Sequence, residues 1–500
     1  MSKIVSQHIP KGTAARPTAM RLQNFIGGSW ISSSSPDYLD VVNPARGEVL
    51  AQVPLSTSAD VDAAVDAAAR AFPDWRATPV VERARYFFKF KALLDDHAEE
   101  LARIVTTEHG KTLSEARGSV KRGIECVEVA CGMPSLMMGY GLEDIASGID
   151  CDVVRQPIGV FAAVAPFNFP AMVPLWFLPF AVAAGNTFII KPSEQVPLSQ
   201  RRIIELLEQT GLPPGVVNLV NGGRQVVERL CEHPEIAGIS FVGSTEVARS
   251  VYRAAAAHGK RVQALGGAKN FMIVMPDADL ERSIPIISES IYGCAGQRCL
   301  AGSIVLTVGD KHGEVLERFV DSARSLRVGD GLEPGVTMGP VISDRHRQRV
   351  LGYIRKGQEE NARLVLDGTD VSVPQCPDGF FVGPTVFDQV RPDMAIGHDE
   401  IFGPVAAMMS ARDLDEAVRI ARAHPNANAI SIFTSSGKAA REFRYHAPAA
   451  MVGVNIGVAA PMAFFPFGGS KDSFFGDLKA HGRDGVEFYT EKKVTISRWL

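Results

Sequence analysis

The segment VFAAVAPFNFPAMVPLWFLPFAVAAGNTFIIK, residues 160–191, decides the fold class. Its first residues predict a buried strand over Val160–Ala165, and its last residues predict another over Phe188–Ile190. No charged residue lies between Arg155 and Lys191, which is long enough to suggest a membrane span, but five prolines interrupt this stretch. Two buried strands joined by an apolar loop and a helix therefore fit the segment better.

Strand and helix signals alternate on the C-terminal side of this segment. Strands are predicted over Val216–Val220, Ile239–Val242 and Phe271–Val274, and helices over Pro197–Thr210 and from Thr245. The second half repeats the pattern, with strands over Ser303–Thr307 and Leu364–Leu366 and helices over His312–Leu326, His346–Asn361 and Asp413–His424. This alternation is typical of βαβ units, so we expect two α/β domains with parallel sheets.

The two ends of the chain add helices and one unpaired strand. Apolar spacing predicts a helix over Thr57–Phe72 with Ser58 as its N-cap, and a second long helix from Pro79 through Val105. Val494–Ile496 reads as a strand without a local partner, and we expect it to pair near Ile149–Val154.

The composition is that of a globular protein with large cores, since 46% of the 500 residues are hydrophobic and 22% are charged. The formal net charge is −4, and no block of like charge offers a surface for nucleic acid. Seven cysteines suggest no disulfide framework or zinc site, so we expect free thiols in a reducing compartment, the cytoplasm or, in a eukaryote, the mitochondrial matrix. The acid-free segment before Phe25 is expected to be a disordered tail.

A cysteine-containing turn carries the first chemical signal. In Gly293-Cys294-Ala295-Gly296-Gln297-Arg298-Cys299, the glycine-containing turn could present the sulfur of Cys299 where its thiolate is stabilised. Taken alone, either cysteine is more often a small core residue than a nucleophile.

An asparagine between two prolines carries the second signal. Asn168 lies in Pro166-Phe167-Asn168-Phe169-Pro170, directly after a buried strand, and its rigidly held amide suits an oxyanion hole. In isolation, closure of a loop is the more common role of such an asparagine.

Two further motifs follow strands of the predicted parallel sheet. Lys191 and Glu194 come at the end of one strand, where ligands of open α/β sheets bind, and both could contact ribose hydroxyls. Ser244 lies in the strand-to-helix turn Phe241-Val242-Gly243-Ser244-Thr245, whose amides could meet a pyrophosphate. The turn is not a G-x-G-x-x-G fingerprint, and exposed charges at strand ends are usually only solvated.

These four elements, in this order, resemble the aldehyde dehydrogenase superfamily from about Phe25 to the C-terminus, and Glu400-Ile401-Phe402-Gly403-Pro404-Val405 and Asn455 support the match. The resemblance implies that Cys299 attacks the aldehyde carbonyl and that Asn168 and the backbone amide of Cys299 hold the oxyanion. The resemblance further implies that the cofactor is NAD. NAD would contact Lys191 and Glu194 with its adenosine ribose, Ser244 with its pyrophosphate and Glu400 with its nicotinamide ribose. Phe402 and Phe167 would also belong to the cofactor site.

The resemblance also implies an α/β fold with two open parallel-sheet domains and a small β element for oligomerisation. Residues 1–133 and 154–265 would form the NAD-binding domain, and residues 134–153 an oligomerisation hairpin. Residues 266–458 would form the catalytic domain with the nucleophilic cysteine. Residues 459–500 would return to the NAD-binding domain and the oligomerisation sheet of a homodimer or homotetramer.

One departure from the hydrolytic members of the superfamily indicates a branch. Their Glu-Leu-Gly-Gly motif carries the glutamate that activates water, whereas this chain has Ala264 there, and a register one residue later gives Leu265. Gly-Ala-Lys-Asn, Gly-Gln-Arg-Cys and the run from Ala460 to Phe467 resemble the CoA-acylating methylmalonate-semialdehyde dehydrogenases. That family forms propionyl-CoA or acetyl-CoA from methylmalonate or malonate semialdehyde, as in valine, inositol or beta-alanine degradation.

Two arginines are candidates for binding a substrate carboxylate, because arginine offers a bidentate fork. Arg298 adjoins Cys299, and Arg122 lies on the helix predicted over Glu115–Cys131, which lines the substrate entrance by family analogy. The alternatives are an ion pair for Arg298 and a solvated helix face for Arg122.

Two other functions stay open at this point: a hydrolytic aldehyde dehydrogenase that uses Glu400 through water, and a non-catalytic relative of the fold.

Overall fold

The computed structural model describes residues 19–500, and its largest sheet follows the alternation predicted from the sequence. Five central strands run parallel, because a helix lies on each connection between them, and short antiparallel strands flank this parallel centre. The strands of this first sheet are, in spatial order, Ser29–Ile31, Asn24–Ile26, Val217–Leu219, Thr187–Lys191, Val160–Val164, Ile236–Val242, Arg261–Leu265 and Phe474–Phe475.

A second sheet is built from the C-terminal half of the chain. All neighbouring strands in it are parallel except the first pair, whose antiparallel partner closes the edge. Its spatial order is Arg363–Leu366, Thr385–Asp388, Val405–Ala411, Gly302–Val308, Asn270–Val274, Ala429–Phe433 and Met451–Val454. The α/β fold with two such sheets is confirmed.

A third sheet joins the C-terminus to a hairpin in the first third of the chain. The strand Thr490–Arg498 pairs antiparallel with Ile149–Pro157, which in turn pairs with Tyr140–Ala146. Val494 faces Val153 in this register, so the predicted pairing is confirmed. The hairpin runs past the expected boundary at residue 153, because its second strand continues to Pro157. Two further antiparallel pairs are Tyr38–Val42 with Val49–Pro54 and Asn426–Ala427 with Ser470–Lys471.

Helices cover the sheets and fill most connections between strands. The N-cap of the first predicted helix is Thr57 and not Ser58, because Thr57 and Asp60 form a capping box, and the helix continues past Phe72 to Ala77. The long helix expected from Pro79 to Val105 is two helices that meet at His97, so that prediction is wrong at its centre. The α-helices are Ser58–Ala77, Val80–Asp96, Ala98–His109, Leu113–Cys131, Met133–Leu136, Pro174–Ala183, Leu198–Glu208, Arg224–Glu232, Thr245–Ala257, Leu280–Tyr292, His312–Arg324, Asp344–Glu359, Ala395–His398, Leu414–Ala423, Gly437–His446 and Gly482–Phe488.

The uncharged segment that follows Arg155 supplies two central strands of the first sheet. Its two strands and the helix Pro174–Ala183 between them are buried along their whole length. Within residues 19–500, no helix is long and apolar enough to cross a membrane. Most of the segment expected to be a disordered tail lies outside the described residues.

One buried asparagine ties the first sheet to the C-terminal strand. Asn186 precedes the strand Thr187–Lys191, and its side-chain oxygen accepts hydrogen bonds from the backbone amides of Ile158 (2.8 Å) and Gly159 (3.1 Å). Its side-chain nitrogen donates to the carbonyl oxygens of Ala181 (3.1 Å) and Tyr489 (2.8 Å). Four bonds from one side chain therefore hold three separate segments together.

We expect Asn186→Ala to lower the free energy of unfolding by about 2–5 kcal/mol, because buried backbone groups lose their partners. Urea denaturation of the purified variant measures this loss. The matched control is Gln209→Ala, since the exposed amide of Gln209 makes one hydrogen bond, to the Glu205 carbonyl at 3.2 Å. The control should change stability by less than about 0.5 kcal/mol. Equal effects of the two substitutions would contradict the role of Asn186.

Candidate active site

The predicted nucleophile lies on a loop whose shape depends on an unusual turn. The chain leaves the helix Leu280–Tyr292 through a short 3₁₀ turn, in which Cys294 and Ala295 adopt φ of 51° and 52°. Gly296 follows with φ of 73°, and a Cβ there would lie 2.1 Å from the carbonyl oxygen of Gly403. Only glycine fits this position, because any side chain would collide with that backbone.

Asparagine side chains hold the backbone on both sides of the nucleophile. The carbonyl oxygen of Cys299 accepts hydrogen bonds from the side-chain amides of Asn270 and Asn428, both at 3.0 Å. Two residues earlier, the carbonyl oxygen of Gln297 accepts one from the side-chain amide of Asn168, at 3.0 Å. Side chains from both sheets therefore hydrogen-bond to this loop, and these bonds set the position of Cys299.

The thiol of Cys299 is neutral in this environment. Burial raises its pKa to about 12, the nearby carboxylate of Glu400 adds to the rise, and the ammonium of Lys111 opposes it. A thiol with this pKa is almost wholly protonated at neutral pH, so attack on a carbonyl requires removal of its proton.

Asn168 follows the strand Val160–Val164, as predicted, and its side chain is buried. One amide hydrogen is used by the bond to Gln297, and the second has no partner among the described residues. Lys111 supports this residue from behind: its Nζ donates to the Asn168 carbonyl oxygen at 2.7 Å and lies 3.9 Å from the centre of the Phe169 ring. A fixed amide with a free donor can stabilise an oxyanion.

A cavity of about 470 Å³, which we call the cofactor cavity, extends from Cys299 along the carboxyl ends of the first-sheet strands. This is where ligands of open α/β sheets bind. Its walls contain all the residues that the sequence assigns to catalysis and cofactor binding, namely Phe167, Asn168, Lys191, Glu194, Ser244, Cys299, Glu400 and Phe402.

The far end of the cofactor cavity carries a charged pair and a helix N-terminus. Lys191 Nζ lies 2.9 Å from Glu194 Oε2. Burial alone would raise the pKa of Glu194, but its partner Lys191 holds the pKa below its usual range, so the carboxylate is charged at neutral pH. Ser244 is the N-cap of the helix Thr245–Ala257, where backbone amides and the helix dipole favour a phosphate.

The near end of the cofactor cavity holds Glu400. Its carboxylate accepts a hydrogen bond from the backbone amide of Ala268 at 2.8 Å, and burial raises its pKa to about 6. A Cβ at Gly267 would come within 2.3 Å of Glu400 Oε2, so the glycine leaves room for this carboxylate. Phe167 and Phe402 lie 5.8 Å apart, ring centre to ring centre, and are nearly perpendicular.

A second cavity opens on the other side of Cys299, and we call it the acyl cavity. Apart from the sulfur of Cys299, its wall is mostly apolar, with Phe169, Trp176 and Phe467 among the lining residues. The polar side chains that line it are Arg122, Arg298 and His481. The described residues place no carboxylate in its wall.

The two arginines of the acyl cavity are bound differently. Arg298 is largely enclosed: its Nη2 lies 3.1 Å from Glu115 Oε1, and its Nε lies 3.3 Å from the sulfur of Cys294. Arg122 contacts the carbonyl oxygen of Pro461 and the sulfur of Met462 at 3.0 Å. Arg298 therefore holds the ion pair that was its alternative role. Arg122 lies 3.4 Å from Glu125 Oε2, and its other contacts are to the neutral groups of Pro461 and Met462.

Sequence reasoning missed several residues of the site, including Lys111, Glu115, Asn270 and Asn428. Asn270 stood inside the quoted Gly-Ala-Lys-Asn run, but nothing local shows that its amide reaches the carbonyl of Cys299. Glu115 accepts hydrogen bonds from both the Cys294 amide, at 2.6 Å, and Arg298. These contacts join segments far apart in the chain, so only the fold reveals them.

Comparison with known proteins is consistent with this geometry. Residues 30–495 match the model of the aldehyde dehydrogenase family. Malonate-semialdehyde dehydrogenase 3 of Geobacillus kaustophilus is 53% identical over 96% of this chain and 99% of its own length. Malonate-semialdehyde dehydrogenase 2 of Geobacillus thermodenitrificans is 53% identical over 95% and 99%.

Solved structures give the same result. A Sinorhizobium meliloti chain, assigned as a methylmalonate-semialdehyde dehydrogenase and crystallised with NAD, superposes with a TM-score of 0.95. It is 42% identical and covers 97% of this chain and 99% of its own. The methylmalonate-semialdehyde dehydrogenase of Oceanimonas doudoroffii gives the same TM-score and identity, with 96% and 99% coverage.

We expect alkylation of Cys299 by iodoacetamide, in protein without added ligand, to accelerate about tenfold per pH unit between pH 7 and 9. The reason is that the thiolate fraction grows in this proportion while the pH is below the raised pKa. Mass spectrometry of the peptide with Cys299 measures the rate. A plateau below pH 9 would show an ordinary or lowered pKa instead.

Substitution of each cysteine of the turn, with NADH absorbance as the measurement, distinguishes Cys299 from Cys294. Cys299→Ala should abolish NADH formation, whereas Cys294→Ala should retain a substantial fraction of it. The opposite result would move the nucleophile to Cys294.

Proposed function

Because the chain belongs to the aldehyde dehydrogenase family, we propose that it oxidises malonate or methylmalonate semialdehyde with NAD and transfers the acyl group to coenzyme A. The products would be acetyl-CoA or propionyl-CoA, with the carboxylate lost as carbon dioxide or bicarbonate. The names of relatives 53% identical to the chain support the substrate class. The observation that carries the proposal is that Ala264 stands where the hydrolytic members of the family have the glutamate that activates water.

The first step would use the residues that meet at Cys299. The thiol gives up its proton to water, and its sulfur forms a bond to the aldehyde carbon. The carbonyl π bond breaks, and the carbonyl oxygen becomes an oxyanion. The free amide hydrogen of Asn168 and the backbone N–H of Cys299 would stabilise that charge. Loss of hydride from the same carbon then leaves a thioester on Cys299.

The cofactor cavity fits a dinucleotide. NAD bound there supplies the hydride acceptor. Lys191 and Glu194 would bind the adenosine ribose, Ser244 the pyrophosphate, and Glu400 the nicotinamide ribose, beside Phe167 and Phe402. The large volume, the helix N-terminus at Ser244 and the room that Gly267 leaves for Glu400 all support this assignment.

Coenzyme A is proposed as the acyl acceptor because water has no positioned base. Ala264, at the place of the hydrolytic glutamate, is fully buried in an apolar cluster with Phe241 and packs beside Phe475. A general base contributes about 10²–10⁴-fold to attack by water. A thiolate needs less assistance, because it is intrinsically more nucleophilic.

The hydrolytic alternative would require Glu400 to activate water. Its pKa of about 6 would suit a base, but its carboxylate is hydrogen-bonded to the Ala268 amide and lies in the cofactor cavity. The non-catalytic alternative is disfavoured because Cys299, Asn168 and Glu400 line one cavity with their reactive groups intact.

The acyl cavity offers positive charge for the substrate carboxylate. We assign this role first to Arg122, whose contacts with Pro461 and Met462 are to neutral groups that a carboxylate can replace, while Glu125 lies 3.4 Å from its guanidinium. Arg298 adds positive charge in the same wall, although Glu115 partly neutralises it.

The assembly is proposed to be a homodimer or homotetramer that uses the third sheet. Residues 134–153 would supply the oligomerisation hairpin, residues 1–133 and 154–265 the NAD-binding domain, residues 266–458 the catalytic domain, and residues 459–500 the return to the third sheet. Large apolar side chains stand exposed on this sheet, namely Tyr140, Leu142, Val494 and Ile496. The seven free cysteines suit a reducing compartment such as the cytoplasm.

We expect malonate semialdehyde and NAD to give a stoichiometric burst of NADH without CoA, followed by slow turnover. Adding CoA should accelerate the steady state, because the thiol releases the acyl group from Cys299. Absorbance at the NADH band follows both phases, and mass spectrometry identifies acetyl-CoA. Fast steady-state turnover to free acid without CoA would establish the hydrolytic alternative instead.

NAD should be preferred over NADP, because the carboxylate of Glu194 would bond the ribose hydroxyls and repel a 2′-phosphate. The preference is measured as the ratio of kcat/KM for the two cofactors. Glu194→Gln should lower the ratio of kcat/KM for NAD to that for NADP. The control is Glu208→Gln, which should leave the ratio unchanged, because Glu208 is exposed and lies outside the cofactor cavity. A wild-type ratio of one or below would overturn the assignment of Glu194.

A further inference from the structure

His481 combines two unfavourable features at one position in the acyl cavity. It lies directly before the helix Gly482–Phe488 with φ of 64° and ψ of 178°, a backbone conformation that residues other than glycine rarely adopt. Its side chain is 4% exposed, and neither ring nitrogen has a hydrogen-bond partner among the described residues. A buried polar group without a partner is destabilising, so stability alone does not explain a histidine here.

The ring of His481 is held by aromatic contacts rather than polar ones. Its centre lies 4.9 Å from that of Trp176, edge to face, and 5.6 Å from that of Phe467. All three side chains line the acyl cavity together with Cys299. An apolar ring would satisfy these contacts equally well. The two nitrogens are therefore the part of the side chain that packing leaves unexplained.

The charge beside the ring indicates what would bind there. Arg122 lines the same wall, and burial together with the positive charge of Arg122 lowers the pKa of His481 to about 3. The imidazole is therefore neutral at physiological pH and offers one N–H donor. Glu125 lies 3.4 Å from the Arg122 guanidinium, whose other contacts are to the neutral groups of Pro461 and Met462, so a second anion can replace those neutral acceptors.

We propose that His481 is a specificity-determining residue whose ring N–H donates a hydrogen bond to the carboxylate of the substrate, beside the guanidinium of Arg122. The inference rests on the proposed function for the identity of that carboxylate. An anion that fills the acyl cavity would meet both groups in its wall, while its aldehyde end reaches Cys299. Bonding to a carboxylate would give the buried nitrogen the partner that it lacks.

The test compares His481→Phe with His481→Asn. Phenylalanine keeps the aromatic contacts and removes both nitrogens, whereas asparagine keeps an N–H donor and tolerates positive φ. His481→Phe should lower kcat/KM for malonate semialdehyde about 10–100-fold, as expected for a lost hydrogen bond to a charged group, and should lower it far less for propanal. His481→Asn should restore most of the lost preference. The melting temperature of His481→Phe should equal or exceed that of the wild type.

A binding experiment separates this inference from the proposed function. The anion 3-hydroxypropanoate should protect Cys299 from iodoacetamide in the wild type better than 1-propanol does, and His481→Phe or Arg122→Leu should abolish the difference. Protection that depends on His481 supports the inference even if the wild type fails to oxidise malonate semialdehyde, which would defeat the proposed function alone. Equal losses for semialdehyde and propanal with a lowered melting temperature, or no loss for either, would overturn it.

Discussion

Three asparagine side-chain amides hold the loop that carries Cys299 by hydrogen bonds. These bonds fix the position of the sulfur relative to the two cavities. Asn168 comes from the first sheet and binds the carbonyl of Gln297, while Asn270 and Asn428 come from the second sheet and bind the carbonyl of Cys299. Because both sheets hold the same short loop, the sulfur lies where the cofactor cavity and the acyl cavity meet. A shift of either sheet would move the nucleophile relative to both.

Buried charge surrounds this loop, although composition alone shows no charge pattern. Lys111 donates to the carbonyl of Asn168, so the residue that fixes the amide also brings a positive charge close to Cys299. Glu115 binds the amide of Cys294 and the guanidinium of Arg298. Buried ions are costly unless they are paired and hydrogen-bonded, and here the bonds that pair them also shape the turn.

The sequence was sufficient for the fold class and for most of the cofactor cavity, because these depend on local signals. The sequence predicts that Asn168, Lys191 and Ser244 each follow a strand, and in the structure all three line the cofactor cavity at the carboxyl ends of the first-sheet strands. The break at His97 was missed, since apolar spacing continues across it. The roles of Asn428 and His481 were also missed, because each depends on a partner, or the lack of one, that only the tertiary structure determines.

The raised pKa of Cys299 and the absence of a base for water both slow the release of the acyl group. A sulfur leaves more slowly as the pKa of its thiol rises, so burial that keeps Cys299 protonated in the free enzyme also makes it a reluctant leaving group. Water, without a carboxylate at position 264, is then too weak a nucleophile to release the acyl group quickly. The acyl-enzyme would persist until a stronger nucleophile enters. A thiol meets that requirement, which supports the proposal that coenzyme A is the acceptor.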